Sequence, residues 1–148
     1  MKRLVYITLL LTLASGCVSI QIPEYIQDRY PHKKEFNATY DKTLKATQQA
    51  LTDLGWRILK TYDPNVFEQT SRPKPGEKQV LIFTESKQSY RILYSRYARL
   101  NIYLRALKDK TEVEIRYAAV VSLPLKQFRR YKNNALANKL FRKIESHL

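Results

Sequence analysis

The sequence is poor in the residue types from which catalytic and metal sites are most often built. It contains one cysteine, Cys17, and two histidines, His32 and His147. A single cysteine cannot form a disulfide within the chain, and isolated histidines do not supply the clustered ligands that a metal ion needs. Glycines occur only at positions 16, 55 and 76, too far apart for a phosphate-binding loop. We therefore predict no enzyme activity, no metal and no cofactor.

Acidic residues are also scarce, with 13 Asp and Glu against 27 Lys and Arg, which gives a formal net charge of +14. No run of about 20 apolar residues, the length that spans a bilayer, is present. The most apolar stretch, residues 4–14, follows Lys2 and Arg3 and leads through small residues to Cys17. A basic start, an apolar middle and a small-residue end are typical of a secretory signal.

The segment LASGC at residues 13–17 resembles the end of a type II signal peptide of bacterial lipoproteins. This resemblance implies that residues 1–16 are a signal peptide and that the sulfur of Cys17 carries a diacylglyceryl group. An ordinary signal peptide, which would leave the cysteine free, is the alternative. Val18 stands where an aspartate would retain a lipoprotein in the inner membrane, so the resemblance favours the outer membrane, facing the periplasm.

Of the 148 residues, removal of 16 would leave 132, enough for one domain, and the loss of Lys2 and Arg3 would lower the net charge to +12. Residues 17–35 show no helical periodicity and contain two prolines, which predicts a lipidated tether. Its apolar residues provide an alternative, docking onto the domain or the membrane. Residues 36–148 are predicted to form a single domain.

Local patterns predict the first elements of this domain. We expect a short strand at residues 36–39 and a helix at residues 41–54 that ends at Gly55. Its buried face is predicted from residues at helical spacing, namely Tyr40, Leu44, Thr47, Leu51 and Leu54. Further strands are predicted at residues 56–62, 66–70 and 79–84, separated by a turn at 63–65 and a loop at 73–76.

Residues 98–106 and 113–121 alternate between apolar and polar side chains around a turn at 108–110, which predicts a β-hairpin. We expect one buried face and one solvated face, on which Glu112 and Glu114 pair with Arg99 and Arg105. Residues 87–96 are ambiguous and receive no assignment.

The final helix is predicted to begin at Pro124, which suits a first turn. Its buried stripe comprises Leu136, Ala137, Leu140, Phe141, Ile144 and Leu148. Phe128 and Tyr131 fall outside this stripe, so they either cover the sheet edge or precede a helix that begins later. The order of elements predicts an α+β, two-layer domain, with an antiparallel sheet of four to five strands packed against two helices.

The run FNATYDK at residues 36–42, followed by Leu54, Gly55 and Trp56, resembles the opening of the helix-grip domains of the BamC lipoprotein family. Those lipoproteins are accessories of the outer-membrane β-barrel assembly machinery. The resemblance implies a β-meander after the first helix and a C-terminal helix that closes over the sheet. The chain has room for one such domain rather than two. The family provides no catalytic residues to transfer.

The basic surface is the strongest functional indication in the sequence. Seven Lys and Arg lie between residues 126 and 143 without an acid. We predict that Lys132, Lys139, Arg142 and Lys143 form a patch opposite the buried stripe of the last helix and contact an anionic partner. A solvated helix face is the alternative.

Together these patterns predict a non-enzymatic envelope lipoprotein that acts as an accessory or scaffold in envelope assembly or maintenance. Its expected partners are the membrane, through its lipid, and another envelope protein or an anionic envelope component, but not nucleic acid. The alternatives are a binder of anionic envelope polymers and a ligand-binding module. For the second, the pocket would lie between the sheet and the C-terminal helix, lined by Trp56, Tyr90, Tyr94 and Tyr103.

Overall fold

The computed structural model describes residues 20–67, 77–92, 94–123 and 126–148. The predicted signal peptide, Cys17, the predicted loop at 73–76 and Pro124 lie outside these residues. Within them the chain forms seven strands and two helices. In chain order these are β1 (His32–Phe36), α1 (Tyr40–Asp53), β2 (Ile58–Tyr62), β3 (Gln79–Thr84), β4 (Lys87–Arg91), β5 (Tyr94–Leu107), β6 (Lys110–Leu123), β7 (Lys126–Arg130) and α2 (Asn134–Glu145).

The described strands form one antiparallel sheet in the order β1-β6-β5-β3-β2, with β4 added to β5 and β7 added to β6. The α+β class and the antiparallel sheet are confirmed, whereas the predicted four to five strands are too few. The difference arises because β5 and β6 have 14 residues each. Each is long enough to pair with two different short strands along its outer edge. The short strands β4 (KQSYR) and β7 (KQFRR) lack the apolar alternation that would have identified them.

Both helices pack on one face of the sheet and close the main hydrophobic core. This core includes Leu100 and Ile102 of β5, Ile115 of β6, Leu51 of α1 and Leu140 of α2, each at most 1% exposed. α1 ends as predicted, because Gly55 adopts a left-handed conformation with φ of +69°. That turn lets the backbone N–H of Trp56 donate to the carbonyl of Leu51 at 2.8 Å.

The buried face of α1 is rotated from the predicted one toward small and hydroxyl-bearing residues. Thr43, Ala46, Thr47, Ala50 and Leu51 are buried, while the other predicted residues pack at the margin. The two threonines tolerate burial because each hydroxyl donates to the carbonyl four residues earlier, at 3.0 Å and 2.7 Å.

The opposite face of the hairpin is covered, so the prediction of a solvated face is wrong. Asn101, Tyr103, Glu114 and Arg116, which were expected to face water, are all buried. The chain before β1, residues 20–31, crosses this face and places Ile26 against it with no exposed surface. An alternating strand pattern does not reveal a cover provided by a segment about 75 residues away in sequence.

The N-terminal boundary and one predicted strand also differ from expectation. The first strand is His32–Phe36, which pairs with β6, so the region predicted as a tether, residues 17–35, contributes four residues to the sheet. The strand predicted at 66–70 is wrong at its start, because Pro64–Val66 form a 3-10 turn. Phe67 then packs against Tyr62 and Phe83, with ring centroids 5.2 Å and 5.3 Å away. Residues 68–70 lie outside the described residues.

The last helix begins at Asn134 and not at Pro124, which confirms the alternative of a later start. Asn133 caps it, since its Oδ1 accepts from the N–H of Leu136 at 3.1 Å. The predicted stripe is buried at Ala137, Leu140, Phe141 and Ile144, but Leu148 is 45% exposed. None of the described helices has the length and apolar character needed to cross a membrane.

Candidate interaction surfaces

The two helices cover only half of the sheet. They lie over β1, β2, β3 and the adjoining halves of β5 and β6. The remaining part consists of β4, residues 94–99 of β5, residues 118–123 of β6, and β7, and we call it the open half-sheet. Its residues are largely exposed or half-buried on the side that the helices occupy elsewhere. The fold therefore leaves a sheet face available for contact.

The helix side of the open half-sheet combines apolar and cationic side chains. Register places Ser89, Arg96, Val121 and Phe128 in one row across its four strands. Phe128 is 43% exposed and lies under the ammonium of Lys126, which is 5.0 Å from the ring centroid. The exposed or half-buried apolar residues on this side are Tyr94, Val121, Leu123 and Phe128, and the cations are Lys87, Arg91, Arg96, Lys126 and Arg130.

No carboxylate is built into the strands of this surface. The sequence contains no Asp or Glu between residues 86 and 108 or between residues 115 and 144. These two stretches include every residue of the open half-sheet. Its electrostatic potential is therefore positive, and it favours a partner of opposite charge.

A cavity of about 340 Å³ lies where the open half-sheet meets α2. Trp56 and Tyr117 contribute its buried aromatic surface, and Lys87, Arg96 and Lys139 contribute three cations without an acid. Lys87 is held in place, since its Nζ donates to the carbonyl of Leu54 at 3.2 Å and lies 5.4 Å from the Trp56 ring. Arg96 donates to the hydroxyl of Tyr117. This arrangement suits a small group that is both anionic and aromatic or apolar.

The opposite face of the sheet carries the N-terminal segment, residues 20–31. Asn101 fixes its course, because its Oδ1 accepts from the N–H of Ile26 at 2.6 Å and its Nδ2 donates to the carbonyl of Glu24 at 3.1 Å. A guanidinium nitrogen of Arg99 donates to the carbonyl of Ile22 at 3.4 Å. Beside this segment an open groove of about 900 Å³ extends toward β7.

Of the predicted ion pairs on this face, one is observed and one is not. Arg105 and Glu112 form the expected cross-strand ion pair at 3.0 Å. Glu114 is instead buried, and its carboxylate binds Arg116 at 2.5 Å and Lys33 of β1 at 2.9 Å. These charges are structural, since Arg116 also donates to the hydroxyl of Tyr25 at 2.9 Å and so holds the N-terminal segment.

The predicted basic patch is not a single helix face. Lys132 precedes α2 and lies over Tyr30, Lys139 lines the cavity, and Arg142 is exposed on the helix. Lys143 binds Asp53 at the end of α1, 2.9 Å away. Lys132 lies off the helix because α2 begins ten residues later than predicted, whereas the other three remain on α2 with different surroundings. The cations at 126, 129 and 130 belong to β7 instead.

Asp53 joins the ends of the two helices. Its carboxylate receives hydrogen bonds from Lys143 and Gln49, and His147 is 2.9 Å from it. These bonds, that of Lys143 first, hold the pKa of Asp53 well below its usual range. The cluster therefore ties α1 to α2.

The residues predicted to line a ligand pocket do not converge. Trp56 lines the cavity beside α2, but Tyr103 is buried on the other face of the sheet. Tyr90 is 70% exposed and Tyr94 is 39% exposed on the open half-sheet. Cys17 lies outside the described residues, and within them no three His, Cys, Asp or Glu side chains form a group that could hold a metal ion.

The sequence patterns did not identify Arg91 of β4 and Arg96 of β5 as cations on the helix side of the open half-sheet. The signal that could have found them is the acid-free stretch from residue 86 to residue 108. No protein-family model matches this chain, and no curated protein sequence matches it.

Proposed function

We propose that this protein is a lipid-anchored, non-enzymatic lipoprotein of the bacterial envelope that acts as an accessory or scaffold. In this proposal Cys17 holds it in the outer membrane, facing the periplasm. Its domain binds another envelope protein through the helix side of the open half-sheet. The observation that carries the proposal is this exposed sheet face, with apolar residues, five cations and no acid in its strands.

The composition of the face supports a protein as the partner. Protein interfaces commonly have an apolar or aromatic centre, are enriched in Tyr, Phe and Arg, and have a polar rim. Here Phe128 and Val121 stand next to each other across β6 and β7, with Arg96 on the neighbouring strand β5 and Arg130 on β7. A partner with an apolar centre and an acidic rim would complement both the apolar residues and the arginines of this face.

Photo-crosslinking in cells tests this proposal. We expect a photoreactive phenylalanine analogue at position 128 to give an adduct of defined mass. The same analogue at Val66, which is 68% exposed in the turn after β2, should not give that adduct. Peptides crosslinked to position 128 should come from an envelope protein and be rich in Asp and Glu.

Charge variants provide the matched comparison. Each exposed ion pair contributes about 0.2–1 kcal/mol, so loss of three should weaken binding roughly 3-fold to 150-fold. The triple variant R91Q/K126Q/R130Q should therefore lose most of the adduct at 128. The triple variant K42Q/K45Q/K108Q removes as many exposed charges elsewhere and should retain it. Equal losses in both variants, or no adduct at 128, would contradict the proposal.

A second candidate function, a ligand-binding module, is favoured by the cavity beside α2. Its volume of about 340 Å³ lies within the range of ligand pockets. Lys87, Arg96 and Lys139 would bind the anionic group of a ligand, and Trp56 its aromatic part. Trp56 is the only tryptophan of the chain, so its fluorescence reports on this cavity. A saturable fluorescence change with benzoate, absent with benzyl alcohol, would favour this candidate.

A further inference from the structure

The groove beside the N-terminal segment has the chemistry of an anion site. On one side it is formed by residues 20–23, Tyr25 and Gln27 of the N-terminal segment, and on the other by Ser86, Tyr97, Arg99, Arg129 and Tyr131. Two guanidinium groups and three tyrosines, the third being Tyr25, thus line it, and none of its lining residues is acidic. Arginine guanidinium groups and tyrosine hydroxyls both donate hydrogen bonds to phosphate oxygens, so this lining suits a phosphate group.

The two arginines retain capacity to bind. The Nε of Arg99 is buried and has no hydrogen-bond partner among the described residues. Arg129 is exposed and forms no ion pair with any carboxylate in the described part of the chain. The protein thus uses only part of the hydrogen-bonding capacity of Arg99, and the guanidinium of Arg129 is open to an anion in the groove.

The N-terminal segment also fixes how far the groove can lie from an anchor at Cys17. Arg99 and Asn101 bind the backbone of residues 22, 24 and 26, so this segment is held against the sheet. Ile20, the first described residue, lines the groove itself. An extended chain spans at most about 3.6 Å per residue, so the Cα of Cys17 lies within about 11 Å of that of Ile20.

We infer that this groove binds the phosphates of phospholipid headgroups in the leaflet that holds the anchor. The inference rests on the proposed lipidation of Cys17, because a lipid within about 11 Å of Ile20 brings the headgroup layer to the groove. The N-terminal-segment side of the sheet then faces the membrane. The helix side of the open half-sheet, on the opposite face, points away from it and stays available to a partner.

Adjacent residues of β7 provide a matched pair for the test. Register places Arg129 opposite Val120, on the groove side, and Arg130 opposite Ala119, on the helix side. Both are exposed and carry the same charge. R129Q and R130Q therefore lower the net charge by the same amount, but R129Q changes the groove side of the sheet and R130Q changes the helix side.

Cosedimentation with vesicles tests the inference on a protein that lacks the lipid anchor. The protein used is the chain from residue 18 to residue 148, which retains every described residue and lacks Cys17, and a cooperative thermal transition verifies that each variant is folded. We expect tighter binding to phosphatidylcholine vesicles that contain phosphatidylglycerol than to phosphatidylcholine alone. R129Q should lower the partition coefficient about fivefold and R129E about 25-fold, whereas R130Q should change it less than twofold.

Any one of three other outcomes would overturn the inference. Equal losses for R129Q and R130Q would mean that net charge alone drives binding. If inorganic phosphate binds the wild-type protein and R129Q abolishes that binding without changing vesicle partitioning, the groove is a site for free phosphate only. No binding to either vesicle would exclude the headgroup site, while lipidation of Cys17, which is read from intact mass, would be unaffected. The two failures are therefore distinguishable.

Discussion

Glu114 lies in the middle of β6 with only 4% of its side chain exposed, and its two oxygens bind different cations. Oε1 accepts from Arg116 and Oε2 from Lys33, so one carboxylate joins β6 to β1. Arg116 extends the network to Tyr25 in the N-terminal segment. Removing one member of a buried network leaves the remaining charges without compensation, which is more costly than the network's net contribution suggests.

We expect E114A to lower the free energy of unfolding by about 3–5 kcal/mol, because it removes the buried carboxylate that binds both Arg116 and Lys33. Denaturant unfolding measures this change. E35A is the control, since Glu35 pairs with Lys110 at 3.2 Å but is 51% exposed, and its loss should cost about 0–1 kcal/mol. Similar decreases in the free energy of unfolding for the two variants would show that the buried Glu114 network contributes no more to stability than an exposed ion pair.

For single residues, the sequence predicts which side chains pair across strands better than it predicts which side chains are buried. The alternation of the hairpin correctly predicts the Arg105–Glu112 pair, because register follows from a short turn. It does not predict the burial of Glu114, because the cover comes from residues outside the hairpin. The cations of β4 and β5 were missed for a related reason, since an acid-free stretch becomes a surface only when four strands are aligned.

Among the elements, α1 and α2 are joined at their C-terminal ends by Asp53. The pKa of this carboxyl lies well below its ordinary value, chiefly because Lys143 donates to it. A group whose pKa is depressed by folding stabilises the native state above its ordinary pKa. This stabilisation is lost as the pH falls through the native pKa. The link between the helices should therefore be present at neutral pH and disappear in acid.

We expect D53N to lower the melting temperature at pH 7, with a difference from the unmodified protein that narrows below about pH 4. Thermal unfolding followed by circular dichroism at several pH values measures this. D109N removes an exposed acid in the β5–β6 turn and should leave a smaller difference at pH 7. A D53N difference that stays constant down to pH 2 would show that Asp53 acts through packing rather than charge.

The elements themselves were predictable where one pattern persists over many residues. The long strands β5 and β6, strand β3 and helix α1 follow from periodicity, and Gly55 marks the end of α1. The short strands β4 and β7 are defined by their pairing with β5 and β6, and their own sequences are mostly polar. For α2, the proline at 124 is a weaker start signal than Asn133, whose side chain caps the helix.

The whole molecule has two faces with different candidate roles. The groove side carries the N-terminal segment and Arg129, and the helix side of the open half-sheet carries Phe128 and Arg130. In the proposed arrangement the first faces the lipid headgroups and the second faces a protein partner. A positive charge serves both contacts, which gives a physical reason for an excess of cations spread over the molecule rather than gathered on one helix.

This arrangement depends on the lipid anchor, which intact-mass analysis of the membrane-extracted protein tests. We expect loss of residues 1–16 and a mass increase that corresponds to acyl chains on Cys17, because the segment at 13–17 resembles a lipoprotein signal. C17S should not be processed in this way and should carry no lipid. A mature chain that begins at Val18, or a soluble C17S protein with unchanged processing, would contradict the anchor and with it the orientation of the two faces.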